Sequence, residues 1–292
     1  MDMSTIMNTM KKFNYIFLLL ISLSFFACSD SNEDGPEDLD KEIEDLIKVQ
    51  QISNENHLIE IYNSTGKFYQ GYNELTIRIT DKSTEDFVTN ASISWKPVMH
   101  MTEMMHSCPA SEVKKVSGMK TIYDGYIIFQ MPGNSEEGWT LTVNYTIDGT
   151  AFTAEDDISV LKSDKRVVSV FTGTDDVRYV LALMEPLEPD VKINDISAGL
   201  YKMENMMTFT PVSGNTVTLD PRMPGMDNHS SPNNQDLVYD AGDQIYKGKL
   251  SLTMTGYWVL NLKLINEQDE VLKGEDVTDE NVRSSLYFEI EF

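Results

Sequence analysis

The sequence has little cysteine, little positive charge and only one long apolar run. Its two cysteines, Cys28 and Cys108, stand in 292 residues, so no framework of several disulfides can hold the fold together. Lysine and arginine number 23 against 47 aspartates and glutamates, which gives a net charge of −24. Such an acidic chain is expected to bind neither nucleic acid nor, by electrostatic attraction, anionic lipid. No stretch carries a long helical period, which excludes a helical fold.

The apolar run lies at the N-terminus and predicts export. After two lysines comes FNYIFLLLISLSFFA, residues 13–27, which ends directly before Cys28. This run is too short and has the wrong flanks for a membrane-spanning helix, so residues 1–27 are predicted to be a signal peptide. The tetrapeptide FFAC resembles a relaxed lipobox, and that resemblance implies cleavage before Cys28 and lipidation of its thiol. A cleaved secretory peptide with an ordinary cysteine is the alternative.

The segment after Cys28 is predicted to be a solvated tether. Residues 28–50 hold nine acidic residues and two lysines and cannot bury much apolar surface. Within residues 40–49 a short helix is expected, because three apolar side chains would share one face. The opening CSDSNED resembles the acidic signal that sends some lipoproteins to the cell surface, although a plain linker explains it equally well. The predicted location is the outer membrane, facing the cell surface or the periplasm.

Alternating apolar and polar residues predict β-strands in the rest of the chain. In NELTIRIT, Leu75, Ile77 and Ile79 face one way and the polar residues between them face the other. Turn signals recur at short intervals along the chain. This pattern is typical of antiparallel β-sandwiches, so the fold is expected to be all-β.

A repeated hairpin indicates two copies of one module. GYIIFQM (125–131) matches GKLSLTM (248–254), and each is followed by a strand that begins with tryptophan, Trp139 or Trp258. The alternation agrees residue by residue between the copies, as a hairpin with one buried face requires. It predicts that both tryptophans, and the methionines that close the two heptapeptides, lie in the cores.

Two immunoglobulin-like or cupredoxin-like antiparallel sandwiches in tandem are therefore expected, over residues 51–160 and 165–292. The boundary is expected in the charged stretch LKSDKR, residues 161–166. The second copy holds an additional segment, YKMENMM, residues 201–207. Its three methionines are predicted to pack in the interior, because no histidine accompanies them.

Methionine and histidine gather in two proline-bounded segments, one in each copy. PVMHMTEMMHSCP spans residues 97–109 and PRMPGMDNHSSP spans residues 221–232, and together they hold three of the four histidines. Thioethers are soft donors that select Cu(I), and imidazole binds Cu(I) and Cu(II) alike. The segments thus contain eight candidate copper ligands: Met99, His100, Met101, His106, Cys108, Met223, Met226 and His229.

In the first segment, Met99, Met101 and His106 are the expected ligands. His100 and Cys108 are expected to be auxiliary ligands. Flexible packing in the core explains a methionine cluster equally well. Cys108 beside His106 could also suggest thiol catalysis, but no third group orients the pair and the second segment has serine instead, so the protein is not expected to be an enzyme.

In the second segment, the Pro-Gly of MPGM should make a turn that brings Met223 and Met226 together. His229 follows three residues later, which would complete a site of two thioethers and one imidazole for Cu(I). The remaining histidine, His57, is expected at the surface.

These segments resemble the YtkA/FixH-like family, small extracytoplasmic β-sandwich modules of copper handling and cytochrome oxidase assembly. SWKPVMHMTEMMHSCP with GYIIFQMPG carries the resemblance in the first copy, and LDPRMPGMDNHSSPNN with YKGKLSLTMTGYWVLNL carries it in the second. The likeness extends over most of residues 55–292. It implies a sandwich fold in each copy and a role in copper handling.

The expected function is that of a membrane-anchored extracytoplasmic lipoprotein that binds copper, with Cu(I) favoured over Cu(II). The metal would be held for storage, delivery or detoxification, and an envelope protein would receive it. The alternative is a non-catalytic structural or adhesive module that binds another protein of the cell envelope.

Overall fold

The computed structural model describes residues 39–292; the predicted signal peptide and Cys28 lie outside the described residues. The described elements are β-strands and two short 3-10 helices, Leu39–Ile43 and Pro224–Met226, which confirms the all-β prediction. No helix in this part of the chain is long and apolar enough to cross a membrane.

The first copy is a sandwich of two antiparallel sheets. Its strands are β1 Ile47–Ser53, β2 His57–Asn63, β3 Phe68–Tyr69, β4 Gly71–Asp81, β5 Ser92–His100, β6 Met105–His106, β7 Lys114–Lys115, β8 Ile122–Phe129, β9 Gly138–Ile147, β10 Thr150–Ile158 and β11 Val160–Leu161. One sheet has the order β1-β2-β4-β8-β7, and the other has the order β10-β9-β5-β6. The short strands β3 and β11 pair in parallel.

The second copy is one continuous sheet that wraps around its core. Its strands are β12 Val168–Thr172, β13 Arg178–Glu185, β14 Ile193–Asn205, β15 Thr208–Pro211, β16 Thr216–Met223, β17 His229–Ser230, β18 Gln235–Asp240, β19 Ile245–Ser251, β20 Tyr257–Ile265, β21 Val271–Lys273 and β22 Leu286–Glu291. The order is β12-β13-β14-β19-β18-β16-β20-β21, with β15, β17 and β22 paired to β14, β16 and β20. The two layers are joined because β18 pairs with both β19 and β16.

The two copies share the register of the strands that cover the core. Leu75 of β4 lies opposite Gly125 of β8, and Ile196 of β14 lies opposite Gly248 of β19. Because side chains alternate with a period of two, the same residues of each copy turn inward. The repeat read from the sequence is therefore present in the strand pairing as well.

The tryptophan at the second position of β9 or β20 is held in the same way in both copies. The indole N–H of Trp139 donates to the carbonyl oxygen of Met131 at 3.0 Å, and that of Trp258 donates to Met254 O at 3.1 Å. Both rings are fully buried, and both methionines pack against the cores. The prediction that these four residues belong to the cores is confirmed, and a buried indole has the hydrogen bond that its N–H requires.

The two copies pack against each other through a small apolar and tyrosine-rich interface. Ile128 of the first copy lies in one buried cluster with Val180 and Tyr201 of the second. The hydroxyl groups of Tyr126 and Tyr201 share a hydrogen bond at 2.5 Å. Residues 39–292 form one compact unit as a result.

The C-terminal part of the predicted tether belongs to the folded unit. The helix expected within residues 40–49 is confined to one 3-10 turn, Leu39–Ile43, and the chain is already in β1 from Ile47 onward. Strand β1 pairs with β2, and Val49 packs against the core of the first copy. The predicted solvated tether over residues 28–50 does not reach to residue 50: residues 39–43 form a 3-10 helix, β1 begins at Ile47, and Val49 is partly buried against the core although Ile47 and Lys48 stay exposed.

Two acidic side chains fasten this segment to the sandwich. Asp40 accepts hydrogen bonds from the buried guanidinium of Arg78 at 3.1 and 3.2 Å. The Glu42 carboxylate accepts from the backbone N–H of Lys120 and from the N–H and hydroxyl of Thr121 at 2.5–2.9 Å. Burial alone would raise the pKa of Glu42, but these hydrogen bonds outweigh it and hold that pKa below its ordinary value.

Replacing Glu42 by glutamine should lower the free energy of unfolding by about 1 kcal/mol near neutral pH, since charge-assisted hydrogen bonds at a partly exposed site are lost. The pKa of Glu42 is lower in the folded state, so its contribution is present above the ordinary carboxyl pKa and is lost as the pH falls through the folded value. Urea denaturation at neutral and acidic pH measures the difference. The exposed Glu44→Gln is the matched control; equal losses in the two variants would contradict the role of Glu42.

Candidate metal centre

A short hairpin of β5 and β6 arranges the first Met/His segment. Met99 lies opposite His106, and His100 lies opposite Met105. Directly opposed residues of an antiparallel pair share one face of the sheet, with Cβ atoms about 4.5–5.5 Å apart. The hairpin therefore forms one Met–His pair on its inner face and another on its outer face.

The inner pair is continued by a tryptophan on the neighbouring strand. Met99 of β5 also lies opposite Trp139 of β9, so His106, Met99 and Trp139 form a row across three strands. Met99 is 0% exposed and His106 is 6% exposed. The imidazole meets the indole edge-to-face, with ring centroids 5.5 Å apart. The row is closed to solvent on this side of the sandwich.

The hydrogen bonding of His106 leaves one ring nitrogen available. Its Nδ1 lies 2.8 Å from the carbonyl oxygen of Ser107. A carbonyl can only accept, so Nδ1 carries the proton and donates. In the neutral ring the Nε2 atom then has a free lone pair. A backbone carbonyl that fixes the imidazole tautomer is the usual outer partner of a metal-bound histidine.

Two further candidate ligands of the first copy also face the interior. Cys108 is buried in the core, and Met101 is partly buried against the same core. Burial raises the pKa of the Cys108 thiol well above its ordinary value. The group is therefore a neutral thiol that packs as a small apolar side chain, whereas metal binding needs the thiolate.

His100 is separated from the inner ligands by the alternation of β5. Its side chain is exposed on the outer face, together with Met105. The structure thus brings Met99 and His106 together, with Met101 packed on the same core, and places His100 on the opposite face. Met104, in the turn between the strands, is exposed.

The second segment repeats the inner pair. Met223 of β16 lies opposite His229 of β17, and Arg222 lies opposite Val259. The strand continues one residue further, so Met223 is next to Trp258, as Met99 is next to Trp139. Met223 is buried in the second core, while His229 is exposed. The Met–His pair of the second copy is therefore open to solvent on the histidine side.

Met226 stands beside this pair at the end of a turn. Pro224–Met226 form the 3-10 helix predicted as a Pro-Gly turn, and Asp227 follows in the left-handed region at φ 53°. Met226 is 53% exposed. The turn leaves one thioether, Met223, in the core and the other, Met226, at the surface.

The methionines of YKMENMM do not pack in the interior as predicted. Met206 and Met207 form the turn between β14 and β15 and are 40% and 36% exposed. Met203 is half-buried on β14. The backbone N–H of Ser107 in the first copy donates to Met206 O at 2.8 Å. The prediction fails because the extended β14–β15 hairpin carries its turn across to the first copy.

His57 is buried, which contradicts its predicted surface position. It is 4% exposed. Its Nδ1 lies 3.0 Å from the Tyr145 hydroxyl, and Phe152 packs edge-to-face on its ring at 4.6 Å. Burial lowers the pKa of His57 although the nearby Asp81 carboxylate opposes this. An isolated histidine in the sequence gave no signal for these partners, which come from strands far away along the chain.

Any metal site in the two hairpins depends on thioether donors. Within residues 39–292, no group of three or more histidine, cysteine, aspartate or glutamate side chains could hold a metal ion. Hard cations such as Ca²⁺ take oxygen ligands, and Zn²⁺ takes thiolate, imidazole or carboxylate. The donors that the hairpins do bring together are thioether and imidazole, which suit Cu(I).

Comparison with known proteins gives little guidance on identity. No family model matches the chain, and no curated protein matches it. The resemblance to the YtkA/FixH-like family therefore stays a prediction. One solved structure with some likeness is FdeC, a broadly conserved adhesin of Escherichia coli. The two share 11% sequence identity over 74% of this chain and 72% of that chain, with a TM-score of 0.23. This similarity is too low to support an inference about function.

Cys108 should react slowly with a thiol reagent in the folded protein, because its thiol is buried and its pKa is raised. The measurement is the rate of labelling by a chromogenic disulfide, with Cys28→Ser so that a single thiol is followed. Labelling should become fast in a denaturing concentration of urea. Rapid labelling without denaturant would show that the first segment opens readily.

Proposed function

We propose that the protein binds Cu(I) outside the cytoplasm through the Met–His pairs of its two hairpins. The observation that carries this proposal is the register: Met99 is opposite His106, and Met223 is opposite His229. Two segments of different length and different turn geometry bring the same two donor types together at the same place. Core packing accounts for the buried Met99 and Met223, but it gives no reason for a histidine opposite each of them.

The chemistry of the pairs fits a soft monovalent ion. A thioether keeps its donor properties in an oxidising compartment and prefers Cu(I), and the imidazole adds a donor that serves either oxidation state. Trp139 and Trp258 close the rows on one side with fully buried rings. This apolar wall disfavours strongly hydrated ions, because these would have to leave their water behind.

The third donor differs between the copies. In the first copy it is Met101, which packs on the same core as Met99. In the second copy it is Met226, which is exposed, as His229 is, and lies three residues before it in the chain. Cys108 and His100 contribute nothing to these inner sites, since one is a buried neutral thiol and the other faces outward.

The two sites differ in access, and this predicts an order of loading. His229 and Met226 are exposed, so the second-copy site offers two of its three donors to solvent although Met223 is buried. Met99 and His106 are buried, so the first-copy site must open locally.

In the cell this activity would belong to an outer-membrane lipoprotein facing the cell surface or the periplasm. The protein would hold Cu(I) for storage, delivery or detoxification and pass it to an envelope protein. No chemical transformation of the metal is required, so the role is not enzymatic.

The alternative function is a non-catalytic protein-interaction module of the envelope. The observation that favours it is the exposure of the methionines in two segments that a backbone hydrogen bond joins, Met104 and Met105 in the first copy and Met206 and Met207 in the second. Flexible, polarisable methionine side chains suit adaptable binding surfaces. Absence of copper binding would leave this function as the better explanation.

The full lipoprotein in detergent should bind about one Cu(I) per inner pair under anaerobic, reducing conditions. The bound copper is measured by competition with a chromogenic Cu(I) chelator. Met223→Leu and His229→Gln should each remove one equivalent of tightly held copper, because each removes a donor and keeps similar side-chain volume. Met119→Leu, at an exposed methionine distant in the fold, is the control. No retention of Cu(I) at micromolar chelator would contradict the proposal.

A further inference from the structure

The outer face of the β5–β6 hairpin carries a second Met–His pair that the inner sites do not use. His100 and Met105 are directly opposed in the register. Both side chains are exposed, and Met105 is 57% exposed. An imidazole and a thioether therefore stand side by side in solvent, about 4.5–5.5 Å apart at their Cβ atoms.

A turn of the second copy lies along the free edge of this hairpin. The hydrogen bond from Ser107 N to Met206 O, at 2.8 Å, joins the edge of β6 to the turn between β14 and β15. Ser107 is two residues beyond Met105, a distance of about 6.6 Å along an extended chain. The turn therefore meets the chain two residues from Met105, and the long, flexible side chains of Met105 and of the turn can approach each other from the two sides of this contact.

The turn contributes two more exposed sulfur atoms. Met206 and Met207 occupy its tip and are 40% and 36% exposed. Together the side chains offer one imidazole and three soft thioether donors, a combination that suits Cu(I). They belong to His100, Met105, Met206 and Met207.

We propose that His100, Met105 and the Met206–Met207 turn form a third Cu(I) site, built from both copies at their junction. The proposal rests on the proposed function, because it takes Cu(I) as the ion that the protein handles. The site is separate from the inner pairs, since its ligands stand on the outer face of the hairpin. Its exposure makes it the first point at which an incoming ion, or a chelate that delivers one, can meet donors of the first copy.

The site joins the two copies, so it should behave as one unit. Removing the sulfur of Met105 on one side, or both sulfurs of the turn on the other, should abolish binding by the remaining donors. Two independent surface methionines would instead each keep a weak interaction. This coupling distinguishes a built site from scattered soft side chains.

The test uses the full lipoprotein in detergent with methionine labelled at its ε-methyl carbon. Cu(I) is added anaerobically, and the methyl resonances are followed. In the native chain, the signals of Met105 and of the Met206–Met207 turn should shift at the same copper equivalent. In Met105→Leu the signals of the turn should no longer shift, and in the double variant Met206→Leu/Met207→Leu the signal of Met105 should no longer shift.

The controls separate this proposal from the proposed function. Met119→Leu, an exposed methionine at a turn of the first copy far from β6, should leave all these shifts unchanged. If Met223 shifts while Met105 and the turn do not, or if these respond independently, the junction site is overturned and the inner site stands. If only Met105 and the turn shift, the inner site is overturned and the junction site stands. If no methionine signal shifts, both are overturned.

Discussion

The alternation of side chains along β5 and β16 is the constraint on which the rest of the arrangement depends. It turns Met99 and Met223 into the cores and sends the residues beside them to the other face. A slip of one residue in β5 would bury His100 and expose Met99, which would leave a polar ring without partners in an apolar interior. The register that builds the core is therefore the same register that opposes a thioether and an imidazole. The strand register that the core requires is therefore sufficient to form the candidate site.

The buried tryptophan secures this register in each copy. A buried indole N–H needs an acceptor, and in both copies it finds the carbonyl of a methionine in the loop between β8 and β9 or between β19 and β20. The bond fixes β9 or β20 against the strand before it, and the ring then fills the space next to Met99 or Met223. The same contact is present in both copies, even though the second copy joins its two layers into a single sheet.

The sequence predicted the strands that are long enough to show several alternations of apolar and polar residues. It failed to predict the strands that are only two residues long. Strands such as β4 and β9 span several alternations, so the pattern alone places their inward residues. Strands β6 and β17 have two residues each, too few to show any period, and their pairing with β5 and β16 could only be found in the structure. The burial of His57 was missed for a related reason, because Tyr145 and Phe152 reach it from strands nearly ninety residues further along the chain.

The two copies differ in the access to their Met–His pairs, and the cause is a contact between them. In the first copy the chain after His106 donates its next backbone N–H to Met206 of the second copy, which covers the edge of β6. In the second copy the chain after His229 turns back, and Ser231 N donates to Pro221 O of its own segment at 3.4 Å. The β14–β15 hairpin can reach across because the tyrosine-rich interface holds the copies in one orientation. The first copy thus holds a closed Met–His pair and the second copy an open one, and the hairpin whose turn covers the edge of β6 also carries Met206 and Met207, which are exposed.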